Sequence, residues 1–178
     1  IVKKGDTQEW LELVVDMLKT SNFHTGYLLK QRAEYYKEKS AFYLIEDGKV
    51  RSISYNSLWL QVKNTACALF ALKNDDIPLV VGMITHNKFL GVLIDLACLS
   101  FGIRVVPIPK NSTPENISYI INHSDINNLF IGDRESAQKW MEIKHQHEIQ
   151  TIALDLNQHK LMDIANWDQF LRNGDNLE

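Results

Sequence analysis

The sequence predicts an α/β fold: a doubly wound, mainly parallel sheet with flanking helices and an antiparallel hairpin. Short apolar runs of strand length alternate with amphipathic runs of helix length from about residue 77 to residue 155, and this order produces βαβ units with parallel strands. The apolar runs are nearly unbroken, as expected for strands that helices cover on both faces. An Asp-Gly pair between two alternating segments earlier in the chain indicates the hairpin.

The first predicted element is a helix from about Thr7 to Thr20. Asp6 and Glu9 have the spacing of a capping box at its start. Its polar face is mainly acidic, so electrostatic attraction would contribute little to binding of the helix to an anionic lipid surface. We therefore expect its apolar face to dock on a neighbouring domain; the side chains on that face are Trp10, Val14, Met17 and Leu18.

The next predicted elements are a helix, the hairpin and a long helix. The first of these helices covers residues 27–39, on the spacing of its apolar side chains. The hairpin turns at Asp47-Gly48, because both turn positions tolerate positive φ. The long helix covers residues 56–73 and has a wide buried face. After a polar break, residues 77–85 form the first strand of the predicted parallel sheet.

Turn and capping residues divide the rest of the chain into further elements. Gly102 ends a helix as a left-handed C′ residue. The next strand stops near Pro107, because proline cannot donate to a sheet ladder. Ser112 or Thr113 caps a helix whose first turn accommodates Pro114. In chain order, these predicted segments are helix 89–101, strand 103–109, helix 112–124, strand 127–132, helix 135–147, strand 150–155 and a short helical turn at 166–171.

Composition restricts the classes of protein and partner. The chain has 178 residues, of which 45% are hydrophobic and 23% are charged, as in an ordinary globular domain. The net charge of −3, without a basic stripe, argues against a nucleic-acid partner. Cys67 and Cys98 lie among small and apolar residues, so no disulfide framework is predicted. Glu12 and Asp16 interrupt the first apolar run, which predicts neither a signal peptide nor a transmembrane segment. We expect a cytoplasmic protein.

One polar pair lies where an open parallel sheet binds its ligands. His86 and Asn87 follow the first parallel strand directly, and such sheets bind ligands beyond the carboxyl ends of their strands. His86 could donate a hydrogen bond to an anionic or carbonyl group. The simpler interpretation, which we favour, is that Asn87 caps the following helix and His86 is a half-exposed loop residue.

No other pattern predicts a catalytic or metal site. The eight glycines stand far apart and form neither GxGxxG nor GxxxxGK[ST], so no phosphate loop is predicted. His145 and His147 are two residues apart on a predicted helix and would face different directions, which argues against a shared metal ion. No Gly-x-Ser-x-Gly elbow occurs. The residues alone therefore assign no catalytic and no metal-binding residue, and cofactor-binding residues stay unknown. The remaining candidates are interpreted as a solvated turn (Asp75-Asp76) and as core or rim aromatics (Tyr35, Tyr36 and Trp140).

Two segments resemble the amino-terminal part of the AMP-forming acyl-CoA synthetases, in the adenylate-forming ligase superfamily. SISYNSLWLQVKNTACAL is similar to the Ser/Thr-Tyr-x-x-Leu segment of that family and the helix after it. LACLSFGIRVVPIPKNSTPENISYIINHSD is similar to its helix, Gly, Val-Pro strand and following helix. Ile108-Pro109 and residues 121–124 resemble the long-chain fatty acyl branch. The similarity runs from about residue 27 to residue 171; it departs from the family pattern at residues 75–78 and at Ser57.

The resemblance implies ATP-dependent activation of a carboxylic acid. Its carboxylate attacks the α-phosphorus to give an acyl-adenylate and pyrophosphate, and the CoA thiol then takes the acyl group. ATP, Mg²⁺ and CoA would be the cofactors and a long-chain fatty acid the substrate of the parent protein. The family's Ser/Thr/Gly-rich loop with its Lys, its aromatic-Gly-x-Thr-Glu segment, its ribose-binding Asp and its carboxy-terminal Lys are absent from these residues. We therefore expect the isolated chain to be inactive and to bind no ATP tightly.

The implied organisation is a helical extension over residues 1–26 and, over residues 27–178, the amino-terminal subdomain of the AMP-binding domain, which is part of a larger domain. Residues 105–107 are expected to form a core strand. A start at Ile1 also suggests part of a longer protein. Two alternatives stay open: a non-catalytic interaction module with the same fold, or a different adenylate-forming ligase such as an amino-acid adenylation domain or an aryl-CoA ligase.

We predict that the isolated chain self-associates. A sheet without its later strands has an open edge, which is a template for pairing with another chain, and its uncovered apolar helix faces favour association or exchange of elements. Sedimentation velocity over a concentration series measures this. A strictly monomeric profile at the highest concentration would contradict the prediction.

Overall fold

Five parallel strands lie between two layers of helices, and two helices and a hairpin precede them. The structure is a computed structural model that describes residues 7–21, 24–46, 48–74, 76–86, 88–154 and 165–175. The helices are α1 (Thr7–Thr20), α2 (Thr25–Tyr36), α3 (Tyr55–Ala71), α4 (Phe89–Phe101), α5 (Pro114–His123), α6 (Arg134–Ile143) and α7 (Trp167–Arg172), with a 3₁₀ turn at Lys144–Gln146. The strands are β1 (Ser40–Glu46), β2 (Lys49–Ser54), β3 (Val80–Ile84), β4 (Arg104–Pro107), β5 (Asn128–Ile131), β6 (Gln150–Ala153) and β7 (Ala165–Asn166).

The main sheet has the strand order β4-β3-β5-β6-β7, and all its pairs are parallel. Gly82 of β3 is opposite Val106 of β4 on one side and Leu129 of β5 on the other. The hairpin β1-β2 is a separate antiparallel sheet. The predicted fold class is therefore confirmed, and β3 has a neighbouring strand on both sides.

Successive side chains of the strands enter two different cores. Val81 and Phe130 belong to the first core, whereas Val80, Leu129 and Ile131 belong to the second. This alternation follows from the two-residue period of a strand. Because both faces are covered, the sequence of these strands is almost continuously apolar.

Each core is closed by its own set of helices. The first core takes Leu69 of α3, Ile94 of α4 and Phe170 of α7, and the second takes Ile117 of α5 and Trp140 of α6. The connection that leaves β3 therefore runs over the first face, and the connection that leaves β5 runs over the second. The hairpin packs on the helices of the first core, where the Phe42 and Phe89 rings are 5.7 Å apart.

Capping residues explain why several helices begin and end where predicted. Gly102 has φ 71° and accordingly ends α4 in the left-handed conformation. Thr113 accepts a hydrogen bond from Asn116 N at 3.3 Å, and Pro114 occupies the first turn of α5. Asn166 and Gln169 form a reciprocal capping box at the start of α7.

Helices α2 and α6 end earlier than predicted. Helix α2 ends at Tyr36 instead of residue 39, because Lys37 turns to φ 44° and the chain then enters β1. The carbonyls of Lys37 and Lys39 accept the amides of Asn56 and Tyr55 and so satisfy the start of α3. Helix α6 ends at Ile143, and a 3₁₀ turn replaces its predicted last turn.

The edges and ends of the sheet differ from expectation. Residues 105–107 do not form a core strand, because β4 is an edge strand and Val105 and Val106 are only half-buried. Strand β7 was not predicted. Helix α1 has the predicted bounds, but none of its residues is buried; Asp6 of the predicted capping box lies outside the described residues.

We predict that Cys98 does not react with a thiol reagent in the native protein. The two cysteines form no disulfide. Burial, with a contribution from the charge of Asp95, raises the pKa of Cys98 to about 12, so almost no thiolate exists at pH 8. Titration with Ellman's reagent should find at most one reactive thiol in the native state and two in guanidinium chloride. The Cys67→Ser variant is the control: it should show no native reaction and one thiol after unfolding. Fast native reaction of this variant would contradict the prediction.

Candidate ligand site at the carboxyl edge of the sheet

The sheet has a topological switch point between β3 and β5. These strands are neighbours, but their connections leave over opposite faces of the sheet. In open α/β sheets the crevice beyond the carboxyl ends of two such strands is where ligands bind. Thr85 and His86 follow β3 at this point, and Gly132 and Asp133 follow β5. The candidate site is therefore built from these four residues and their neighbours.

Thr85 fills the space between the two strand ends. A Cβ at Gly132 would overlap the Thr85 hydroxyl, and a Cβ at Gly91, in the first turn of α4, would lie 2.9 Å from Thr85 Cγ2. The Thr85 hydroxyl donates to the carbonyl of His86 at 3.0 Å. Gly132 N donates to Ile84 O at 2.8 Å. The two glycines thus admit Thr85, which fixes the backbone at His86.

Asp133 connects the end of β5 to His86 and to α6. Its Oδ1 accepts a hydrogen bond from Ser136 N at 3.0 Å, and its Oδ2 accepts one from the Ser136 hydroxyl at 2.9 Å. His86 Nε2 lies 3.7 Å from Asp133 Oδ2, and the His86 side chain is 47% exposed against 12% for Asp133. Burial opposes ionisation of Asp133, but the Ser136 hydrogen bonds, with the charges of His86 and Lys110, lower the pKa of Asp133.

A second set of charges ties the loop after β4 to the first turn of α6. Glu135 Oε2 lies 3.2 Å from Lys110 Nζ, and Glu135 Oε1 lies 3.1 Å from Lys139 Nζ. Lys139 also donates to the carbonyl of Lys110 at 3.1 Å. Hydrogen bonds from the two ammonium groups lower the pKa of Glu135. The first turn of α6 therefore contacts the loops that follow β3 and β4.

The sequence located part of this site. His86 lies at the carboxyl end of β3, as predicted, and is half-exposed. Asn87 lies outside the described residues, and the N-cap of α4 is Lys88, which makes no side-chain capping bond. Sequence reasoning missed Asp133 and Thr85. The signal for Asp133 was its place directly after a buried strand and three residues before Ser136, which is the spacing of an N-cap.

The His145-x-His147 pair does not face a common ion. His147 Nε2 is hydrogen-bonded to the Ser118 hydroxyl at 2.9 Å, and its ring stacks on Trp140 with 5.7 Å between centroids. Among the described residues no group of three His, Cys, Asp or Glu side chains could hold a metal ion. His147 thus joins α5 to the end of α6.

The other candidates occupy structural positions. Trp140 is fully buried in the second core, Tyr35 is 76% exposed and Tyr36 is half-buried. Asp76 lies in an exposed turn, and Asp75 is outside the described residues. No helix in the described ranges has both the length and the apolar character needed to cross a bilayer.

Comparison with known proteins identifies the family. The family model described as "AMP-binding enzyme" matches residues 29–175, which is most of the chain. The chain belongs to the AMP-binding enzyme family. It is therefore a member of the adenylate-forming ligase superfamily, and the resemblance noted in the sequence is confirmed at that level. No significant match occurs among curated protein sequences.

Solved structures with the same fold include two ligases and a fatty acyl CoA synthetase. A mutant form of coronafacic acid ligase from Pectobacterium brasiliense matches with a TM-score of 0.71 and 19% identity, over 84% of this chain and 29% of that chain. Mycobacterium tuberculosis fatty acyl CoA synthetase matches with a TM-score of 0.65 and 18% identity, over 86% of this chain and 28% of that chain. Benzoate CoA ligase from Burkholderia xenovorans LB400 matches with a TM-score of 0.65 and 19% identity, over 84% of this chain and 28% of that chain. The chain thus spans less than a third of the length of these relatives.

The described residues at this edge do not fit the triphosphate of ATP with its Mg²⁺. A phosphate cradle requires glycine backbone open to the ligand, and at this edge Thr85 fills the space beside Gly91 and Gly132. The carboxylates of Asp133 and Glu135, the acids at the site, are engaged by Ser136 and by the two lysines. No step of ATP chemistry is therefore assigned to these residues.

We predict that acid destabilises the chain through His147. Burial, with the charge of His145, lowers the pKa of His147 below its ordinary value of 6.5. The folded state therefore binds a proton less readily than the unfolded state, so this contribution to stability is present above pH 6.5 and is lost as the pH falls below it. Guanidinium unfolding at pH 7.5 and 5.5 gives the free energy of unfolding at each pH.

The His147→Gln variant should show a smaller drop in unfolding free energy between these two pH values than the wild type. His123→Gln is the matched control, because His123 is exposed at the end of α5 and should leave the drop unchanged. An equal drop in the wild type and in His147→Gln would contradict the prediction.

Proposed function

We propose that the chain is the amino-terminal part of an ATP-dependent acyl-CoA ligase that activates a long-chain fatty acid as its acyl-adenylate and transfers it to CoA. The observation that carries the proposal is the family match over residues 29–175. The likeness to a fatty acyl CoA synthetase supports the acid, as do Ile108-Pro109 and residues 121–124, which resemble the long-chain branch.

In this proposal the chain is the scaffold of the first half of the adenylating domain. Residues 27–178 form a subdomain of that larger domain, and residues 1–26 are a helical extension that precedes it. The exposed apolar side chains of α1 support the extension, because they make this helix suited to contact with another part of a longer protein. A cytoplasmic location and self-association of the isolated chain belong to the same proposal.

In this proposal, other segments of the parent protein bind the cofactors. The parent protein would bind ATP, Mg²⁺ and CoA through segments that this chain does not contain, and Mg²⁺ would offset phosphate charge during adenylation. Positioning and charge stabilisation supply most of such catalysis. Without those segments the isolated chain is expected to be inactive.

An aryl acid is the second candidate substrate. Coronafacic acid ligase and benzoate CoA ligase match this chain as well as the fatty acyl CoA synthetase does. This similarity favours an adenylate-forming ligase of different acid specificity over a non-catalytic interaction module with the same fold.

ATP–pyrophosphate exchange tests the proposal. We expect exchange with palmitate for the protein that the complete gene encodes and none, above the buffer blank, for the 178 residues alone. Benzoate and an amino-acid mixture are the comparison substrates. Exchange with benzoate but not with palmitate would identify an aryl acid, and not a fatty acid, as the substrate. Exchange by the 178 residues alone would contradict the assignment of the machinery to other segments, and no exchange by either protein with any acid would contradict the function.

A further inference from the structure

A cavity of about 170 Å³ lies at the amino edge of the sheet, where β3, β5 and β6 begin. Three aliphatic residues form one part of its wall, and residues with side-chain amides form most of the rest. None of the described residues that line it is charged. The cavity therefore combines apolar surface with neutral hydrogen-bonding groups. Its aliphatic wall is Leu72, Ile77 and Leu79, and Asn74, Asn127 and Asn128 are among its amides.

The amide of Asn127 fixes the orientation of the neighbouring amide of Asn128. Asn127 Oδ1 accepts a hydrogen bond from Val80 N at 3.1 Å, and Asn127 Nδ2 donates one to Pro78 O at 2.7 Å. Because a backbone N–H only donates and a carbonyl only accepts, these contacts assign the oxygen and the nitrogen of Asn127. Asn128 Nδ2 donates to the same Oδ1 at 2.9 Å. The other polar atom of the Asn128 side chain is therefore its oxygen, which is an acceptor.

Asn128 Oδ1 is a buried acceptor that has no hydrogen-bond partner among the described residues. Asn128 is only 4% exposed. It precedes Phe130 of the first core by two residues, so its side chain is on the same face of β5. Leu72 and Leu79 of the cavity wall pack against that core, so the cavity lies on this face too. Buried polar groups in proteins are nearly always paired, and the unpaired oxygen therefore indicates a donor that enters from the cavity.

We propose that this cavity binds a small neutral aliphatic molecule whose hydroxyl group donates a hydrogen bond to Asn128 Oδ1. An ionised carboxylate has no donor and is excluded from this contact. A charged amine is disfavoured, because a buried charge requires a paired opposite charge and no acid is among the described residues that line the cavity. The aliphatic part of the ligand packs on the wall formed by Leu72, Ile77 and Leu79. This site is independent of the proposed function and lies at the opposite end of the strands from His86.

NMR titration of the protein that the complete gene encodes, labelled with ¹⁵N-asparagine, tests the site. The probe is n-butanol, and its isomer methyl propyl ether is the matched control without a donor. We expect n-butanol to shift the signals of Asn74 and Asn127 saturably, with a Kd about tenfold lower than that of the ether. The charged probe n-butylammonium should bind more weakly than n-butanol.

Two variants locate the contact in the cavity. Asn128→Leu removes the acceptor and keeps a side chain of similar size, so n-butanol and the ether should bind it with Kd values within twofold of each other. Ile77→Trp fills the cavity from an exposed position and should weaken binding of both probes about tenfold. Ile45→Trp is the matched control, because it makes the same substitution at an exposed position of the hairpin, and it should bind both probes like the wild type.

Each part of the proposal has an outcome that overturns it. Absence of a saturable shift with n-butanol would mean that the cavity holds only water. Equal Kd values for the two isomers in the wild type, or a tenfold difference that persists in Asn128→Leu, would overturn the hydrogen bond to Asn128. Tighter binding of n-butylammonium than of n-butanol would overturn the neutral class of ligand. If Asn128→Leu does not fold, the isomer difference in the wild type and its loss in Ile77→Trp, but not in Ile45→Trp, decide the question.

Discussion

Burial of β3 on both faces is the constraint on which the rest of the structure depends. Its residues alternate between the two cores, with Val81 in the first and Val80 and Ile84 in the second. These three side chains are at most 1% exposed, and transfer of each from water contributes roughly 1.5–3 kcal/mol. A polar residue here would lack a partner on either face. The strand is therefore apolar throughout, and helices must cover both of its faces.

The position of β3 between β4 and β5 also creates the candidate site. Because one connection crosses each face, this is the edge beyond which ligands bind in open sheets. The first turn of α6 joins these loops, through Asp133 to the loop after β3 and through Glu135 to the loop after β4. Thr85 is packed against Gly132, which excludes any larger residue from the end of β5. The described residues thus form a closely packed corner beside His86 and contain no cradle for a triphosphate.

Most elements could be predicted from the sequence, because local signals and tertiary packing agree. Helix α4 has the predicted bounds, since Gly102 can adopt the left-handed conformation that ends it. The end of helix α2 was predicted three residues too late, because the turn at Lys37 depends on amides of α3 that are distant in sequence. Strand β7 has two residues, too few for any periodic signal. The edge position of β4 was not predictable, because strand order does not follow from strand sequence.

The sequence predicted where the candidate site lies but not which residues surround it. The carboxyl end of β3 could be located, and with it His86. Its partner Asp133 could not be located, because the parallel pairing of β3 with β5 brings the two residues together. In the sequence, two strands and two helices separate His86 from Asp133. The same pairing packs Thr85 against Gly132. The packing around His86 supplies the polar contacts of this site.

Native-state hydrogen exchange tests the central claim most directly. If two-sided burial of β3 holds the fold together, the amides of β3 and β5 should exchange only through global unfolding, with a free energy equal to that from denaturant titration. The amides of α1, whose residues are not buried, should exchange far faster. Exchange of the β3 amides at a free energy well below that of global unfolding would contradict the account.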